Sequence, residues 1–221
     1  MKTMLCAFAV MLLSVSALSD PILTMDSANR FPDEMVCGYD QKFSTRKFLK
    51  EIYSPFIDVE IKGEKAYKIV YKYCEKYNIN QRYILTVLQR EQSLILCKFT
   101  GKELKHRLDR ATGYGVSDVD AEKSKPYLGF ERQVRNACRV SKKLWKQYKK
   151  DPPRYLLIEE KREKKRWGKF PNFQERMNNQ VKIVQTPSAV TAMIWAYTPL
   201  EKAPEGTVAI WIMLFQRLQK N

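Results

Sequence analysis

From residue 66 to residue 95 the apolar side chains recur every third or fourth position, and that period constrains the fold more than any other feature. Ala66, Ile69, Val70, Tyr73, Cys74 and Tyr77 keep helical spacing. Asn78-Ile79-Asn80 interrupts the run, and Asn80 can cap a second helix reaching to about Leu96. Ser44 is positioned to cap a short helix over Phe48, Leu49 and Ile52 that Pro55 ends. Residues 98–128 carry the glycines and polar residues of a long loop with room for a small hairpin. Gly129 to Tyr148 is helical again until Pro152-Pro153. A β-rich stretch follows (Val181, Ile183, Val184), then helices near Pro187–Ala196 and Thr207–Leu218. The expected class is mainly α with a small β-hairpin element, an α+β chain.

With 221 residues and 44% hydrophobic content the chain can bury a real core. The single histidine, His106, argues against a site built on paired imidazoles. No metal or organic cofactor is suggested. Lys2 followed by the ten-residue apolar run Met4–Leu13, with Ala17 and Ser19 at the spacing of a signal-peptidase site, reads as a signal peptide over 1–19. The expected location is therefore secreted or periplasmic, with cleavage near Ser19. Cys37, Cys74, Cys97 and Cys138 remain after cleavage and allow either two disulfides, in any of three pairings, or free buried thiols. The expected organisation is the signal, an N-terminal arm with a short helix over 20–62, and a domain over 63–221 with a basic insertion around 150–182.

One carboxylate stands out in the second helix. At 100° per residue Ile84, Val87, Leu88, Leu94 and Ile95 fall at about 0°, 300°, 40°, 280° and 20°, and Glu91 at about 340°, the middle of that stripe. Its polar neighbours Gln89, Arg90 and Gln92 point elsewhere on this wheel. A carboxyl on a buried face loses hydration, which disfavours the charged form, and a protonated carboxyl is what a general acid requires. The competing reading is a structural Glu paired with an Arg or Lys. Downstream, Ala111-Thr112-Gly113-Tyr114-Gly115 is a glycine-punctuated turn holding an aromatic ring. Gly129-Phe130-Glu131-Arg132-Gln133 enters a helix, and Trp195-Ala196-Tyr197-Thr198-Pro199 closes one. Rings at element ends beside amides and carboxylates suit a groove for sugars.

The order of these segments, 84–95, then Ala-Thr-Gly-Tyr-Gly with Asp118, then Gly-Phe-x-x-Gln at 129–133, resembles secreted bacterial proteins of the lysozyme-like superfamily. The similarity covers residues 44–215 in patches. That superfamily includes goose-type lysozymes and lytic transglycosylases, which cut the β-1,4 glycan of peptidoglycan. The resemblance implies a lysozyme-like fold and Glu91 as the catalytic acid. It further implies that the 113–115 turn belongs to a β element lining the cleft, and that Tyr197 matches the tyrosine of an Ala-Tyr-Asn helix end. Ser93, Gly113, Tyr114, Gln133 and Tyr197 become the expected substrate contacts. The sequence departs from the pattern in three places. Tyr114-Gly115-Val116 replaces the last three residues of a Gly-Leu-Met-Gln turn, Ala-Tyr-Thr replaces Ala-Tyr-Asn, and Gln92 rather than Ser follows Glu91.

A pair of carboxylates would support hydrolysis, whereas lytic transglycosylases of the superfamily use one glutamate and an internal hydroxyl. Asp118 is the candidate partner, with Asp120 and Glu131 behind it, and Asp118 reads equally as a turn cap. The formal charge of +16 falls to +15 without 1–19, and residues 141–182 carry fourteen Lys/Arg against five acids. In an exported protein such charge points to peptidoglycan glycan strands and anionic cell-envelope polymers as partners, with nucleic acid disfavoured and a monomer expected. The alternative is a non-enzymatic basic protein that binds the envelope or nucleic acid on a lysozyme-like scaffold.

Overall fold

The computed structural model describes residues 32–116, 120–151, 155–159, 181–185, 188–197 and 203–217. The expected signal peptide over 1–19 lies outside them. The helices are α1 (Thr45–Glu51), α2 (Ala66–Tyr77), α3 (Gln81–Gln92), α4 (Gly101–Asp109), α5 (Ala121–Ser124), α6 (Phe130–Lys150), α7 (Ala189–Tyr197) and α8 (Ala203–Trp211), the last running into a π-helical turn over Ile212–Arg217. Two antiparallel strand pairs accompany them: β1 (Glu60–Ile61) with β2 (Glu64–Lys65), and β3 (Tyr155–Glu159) with β4 (Val181–Gln185). The described chain is thus mainly helical with small two-stranded antiparallel sheets.

Helix α3 is the axis of the molecule. Every residue from Gln81 to Gln89 except Arg82 is buried, so the helix is enclosed nearly all round and surfaces only in its last turn. The Asn80 carbonyl oxygen of the side chain accepts from the Arg82 backbone N–H at 2.9 Å and starts it. Ser93, at φ +56°, ends it in the left-handed region. The carboxamide of Gln89, itself buried, then accepts from the N–H groups of Ile95 and Leu96 at 3.1 and 3.0 Å and turns the chain away. Around this axis α6 packs against α2 and α7, and α8 packs against α3.

The stretch expected as an N-terminal arm is built into the same core. Val36, Phe43, Phe48, Leu49 and Phe56 are buried within the cluster that includes Ile84, Leu88 and Val134. The Phe215 ring of the C-terminal turn meets Phe48 at 4.8 Å and Trp211 at 4.9 Å, tying α1 to the end of the described chain. No helix among the described residues is long and apolar enough to cross a membrane.

Two expectations fail. The long loop expected over 98–128 contains α4, which the apolar pattern missed because only Leu104 and Leu108 face the core. Its sequence signal is charge instead: Glu103–Arg107 and Lys105–Asp109 pair at i,i+4. The 113–115 turn is a turn and not part of a β element among the described residues. The strand pairs lie at 60–65, around the Gly63 turn, and at 155–159 with 181–185, where aliphatic and β-branched residues cluster. The basic segment 160–180 between β3 and β4 lies outside the described residues.

Candidate functional site

Glu91 sits in the last turn of α3, where the buried axis reaches the surface. It is not centred on a buried stripe, because Leu94 and Ile95 fall beyond the Ser93 cap and no longer share its helix face. Its side chain is 23% exposed. Arg90, expected to point elsewhere, curls back instead: its Nε and Nη2 both donate to Glu91 Oε1, at 3.0 and 2.7 Å. Adjacent residues do not face each other on an ideal helix, but the guanidinium stem is long enough to close the gap. Arg90 Nη1 donates to Thr207 Oγ1 at 2.5 Å, so the carboxylate is fixed through Arg90 to α8. Gly206, beside Thr207, has the Arg90 side chain as its near neighbour.

Oε2 of Glu91 faces a different wall. Gly113 holds φ +70°, and a Cβ there would lie 3.1 Å from Oε2. Glycine suits the backbone angle, and a side chain there would make Oε2 give by a few tenths of an ångström. Two residues on, Gly115 at φ +65° lies flat against the Tyr127 ring, where any Cβ would collide. Tyr114 and Tyr127 meet edge to face at 5.7 Å. The turn thus brings Gly113 against Oε2 and carries Tyr114, whose ring meets Tyr127 from the neighbouring segment.

Gln133 builds that turn. Fully buried on α6, its Oε1 accepts from the backbone N–H of Thr112 at 3.2 Å and of Tyr114 at 3.1 Å. Its Nε2 donates to the carbonyls of Tyr114 and Tyr127 at 2.8 and 2.7 Å. The amide is spent on holding the 112–115 turn and the 127 segment in place, so it shapes the site from behind. Thr112 completes the clamp by donating through Oγ1 to the Gln133 carbonyl at 3.2 Å.

The remaining sequence candidates distribute as follows. Ser93 is the partly buried cap of α3, two residues from Glu91. Asp118 lies outside the described residues. Tyr197 is the last residue of α7, and its side chain lies outside the described part. Asp120 caps α5 by accepting from Lys123 N–H at 3.0 Å, which with the Lys123 ammonium lowers its pKa. Glu131 belongs to the α2–α6 junction: Tyr73 donates to it at 2.7 Å and Lys72 at 3.2 Å, and these bonds hold its pKa below the usual carboxylate range. Neither acid is spare chemistry beside Glu91. The four cysteines Cys37, Cys74, Cys97 and Cys138 are unbridged in this structure.

Sequence reasoning missed Arg90 and Thr207, and gave Gln133 a direct contact that its buried amide does not offer. For Arg90 the available signal was an Arg directly before a glutamate at a helix end. For Thr207 there was none, because the contact spans 117 residues. No group of three His, Cys, Asp or Glu side chains suited to a metal ion occurs among the described residues. No protein-family description, curated protein or solved structure matches the chain.

Proposed function

We propose that this protein cleaves the glycan strand of peptidoglycan outside the cytoplasm, as a muramidase or lytic transglycosylase, with Glu91 as general acid and base. The observation that carries the reading is the divided carboxylate. Arg90 occupies Oε1, while Oε2 is left facing the Gly113 turn, whose Tyr114 ring meets Tyr127. On this reading Glu91 carries its proton on Oε2 and passes it to the glycosidic oxygen, and the same oxygen afterwards accepts a proton from the attacking hydroxyl, while the Arg90 pair on Oε1 is equally what a structural glutamate shows. Tyr114 and Tyr127 supply faces on which sugar rings stack. The order of motifs shared with the lysozyme-like superfamily adds to this reading.

Among the described residues Asp120 and Glu131 are held by other partners, and Asp118 lies outside them, so both routes are kept: with one carboxylate the chemistry is that of a transglycosylase. An internal C6 hydroxyl then attacks and no second acid is required. Purified peptidoglycan incubated with the protein, with products read by mass spectrometry, tests the proposal. Anhydro-muramyl ends identify a transglycosylase and reducing ends a hydrolase. Absence of any soluble product rejects both.

A second reading draws on the same ion pair. The Arg90–Glu91–Thr207 chain also serves as a plain structural tie between α3 and α8, on a basic protein that binds the envelope without cutting it. In that case Glu91 variants lose stability, and no glycan product forms with any of them.

A further inference from the structure

Helix α6 carries a pattern that neither the core nor the Glu91 site uses. Arg132, Arg135, Arg139, Lys143, Lys146 and Lys150 succeed one another in steps of three or four residues, and all six are exposed. At 100° per residue they fall within an arc of about 80°, in single file over about 27 Å of helix. None of the six makes an ion pair among the described residues. The one acid on α6, Glu131, is already engaged by Tyr73 and Lys72.

Local helix physics explains two of the six. Lys146 and Lys150 lie near the C-terminus, where cations complement the helix dipole. Arg132 and Arg135 stand in the first two turns, at the positive end, where that dipole disfavours them. Like charges at i,i+4 add further repulsion along the row. Arg132 donates to the Pro126 carbonyl at 2.6 Å and Arg135 faces the Glu131 carboxylate, but Arg139 and Lys143 have no ion pair among the described residues, and a polyanion laid along the row would relieve the repulsion.

We propose that this face of α6 docks a linear phosphodiester polymer of the cell envelope, one without bases. A single file of cations one helix wide matches a chain. A bilayer would require apolar side chains to insert, and the apolar face of α6 (Phe130, Val134, Ala137, Cys138) is buried in the core. A single-stranded nucleic acid gripped by its bases would require an open ring for stacking. Trp145, the ring beside the row, already carries Lys142 and Lys149 over its face at 4.6 and 4.8 Å, and its Nε1 donates to Asp33 at 3.0 Å. The inference shares the extracellular setting of the proposed function and is independent of the Glu91 chemistry.

The experiment compares binding of deacylated poly(glycerol phosphate) by three forms of the full chain at several salt concentrations. These are the wild type, the row variant Arg135→Gln/Arg139→Gln/Lys143→Gln/Lys146→Gln, and a control of equal net charge, Lys50→Gln/Lys68→Gln/Lys98→Gln/Lys102→Gln. The row variant is expected to lose affinity by about tenfold or more and to show a shallower salt slope, while the control stays close to wild type. The half-variants Arg135→Gln/Arg139→Gln and Lys143→Gln/Lys146→Gln each show part of the loss, and circular dichroism verifies that all fold. Glu91→Gln binds as wild type, so docking and cleavage are read separately. Equal losses in row and control variants overturn the proposal, as does tighter wild-type binding to single-stranded DNA or to anionic phospholipid vesicles than to the polymer.

Discussion

Arg90 and Gly113 divide the Glu91 carboxylate between them, one holding Oε1 and the other leaving room at Oε2. Removing either should act on the carboxylate's position more than on the fold. Arg90→Ala is expected to lower glycan cleavage on the order of a hundredfold, as loss of near-attack geometry does. Arg90→Lys should recover only part of it, since an ammonium cannot reach both Glu91 and Thr207 as a fork. Steady-state release of soluble fragments measures both. Gly113→Ala should cost about 1–2 kcal/mol in chemical denaturation for its left-handed angle. It should also reduce activity beyond that stability loss, because the new methyl presses on Oε2. At this scale helical angles singled out Glu91 beside Ile84, Val87 and Leu88, but they centred it on a buried stripe, whereas it stands where α3 emerges, because the helix stops at Ser93. They did not expose the Arg90 fork, because a wheel places side-chain origins and says nothing of where a long flexible side chain ends.

Among the elements, the 112–115 turn meets α3 directly at Glu91 and is pinned to α6 by Gln133. Replacing it with Leu strands the N–H groups of Thr112 and Tyr114 in a buried place, at a cost of about 2 kcal/mol or more. The expected outcome is a lower thermal midpoint and a turn that exchanges its amide protons faster, with cleavage falling in parallel. Most helices were legible because their caps are local. Asn80 and Ser44 accept from backbone N–H groups two or three residues on, and such signals need no tertiary context. Helix α4 was not legible from its apolar residues, because its surface is set by Glu103–Arg107 and Lys105–Asp109 pairs. The position of the small sheets also escaped in part. Val181, Ile183 and Val184 marked β4, but its partner β3 is 21 residues upstream across a charged segment.

For the molecule as a whole, a charged contact between α2 and α6 makes stability depend on pH. Tyr73 and Lys72 depress the Glu131 pKa, so the bond adds stability above the unfolded carboxylate range of about 4.3 and loses it as pH falls through the lower folded value. Tyr73→Phe should therefore reduce the melting temperature at neutral pH, and the difference from wild type should close below about pH 4. Thermal melts across that range check the sign. The core that unites residues 36–56 with the helices up to 215 could not be read from the sequence, because it depends on rings such as Phe48 and Phe215 that meet only after folding. The central claim, that the exposed end of α3 delivers one catalytic carboxylate, is tested most directly by Glu91→Gln on purified peptidoglycan, with circular dichroism run in parallel. The variant is expected to fold and to release no soluble glycan fragments while the wild type does; a folded Glu91→Gln protein that clears peptidoglycan at the wild-type rate would overturn the role of Glu91.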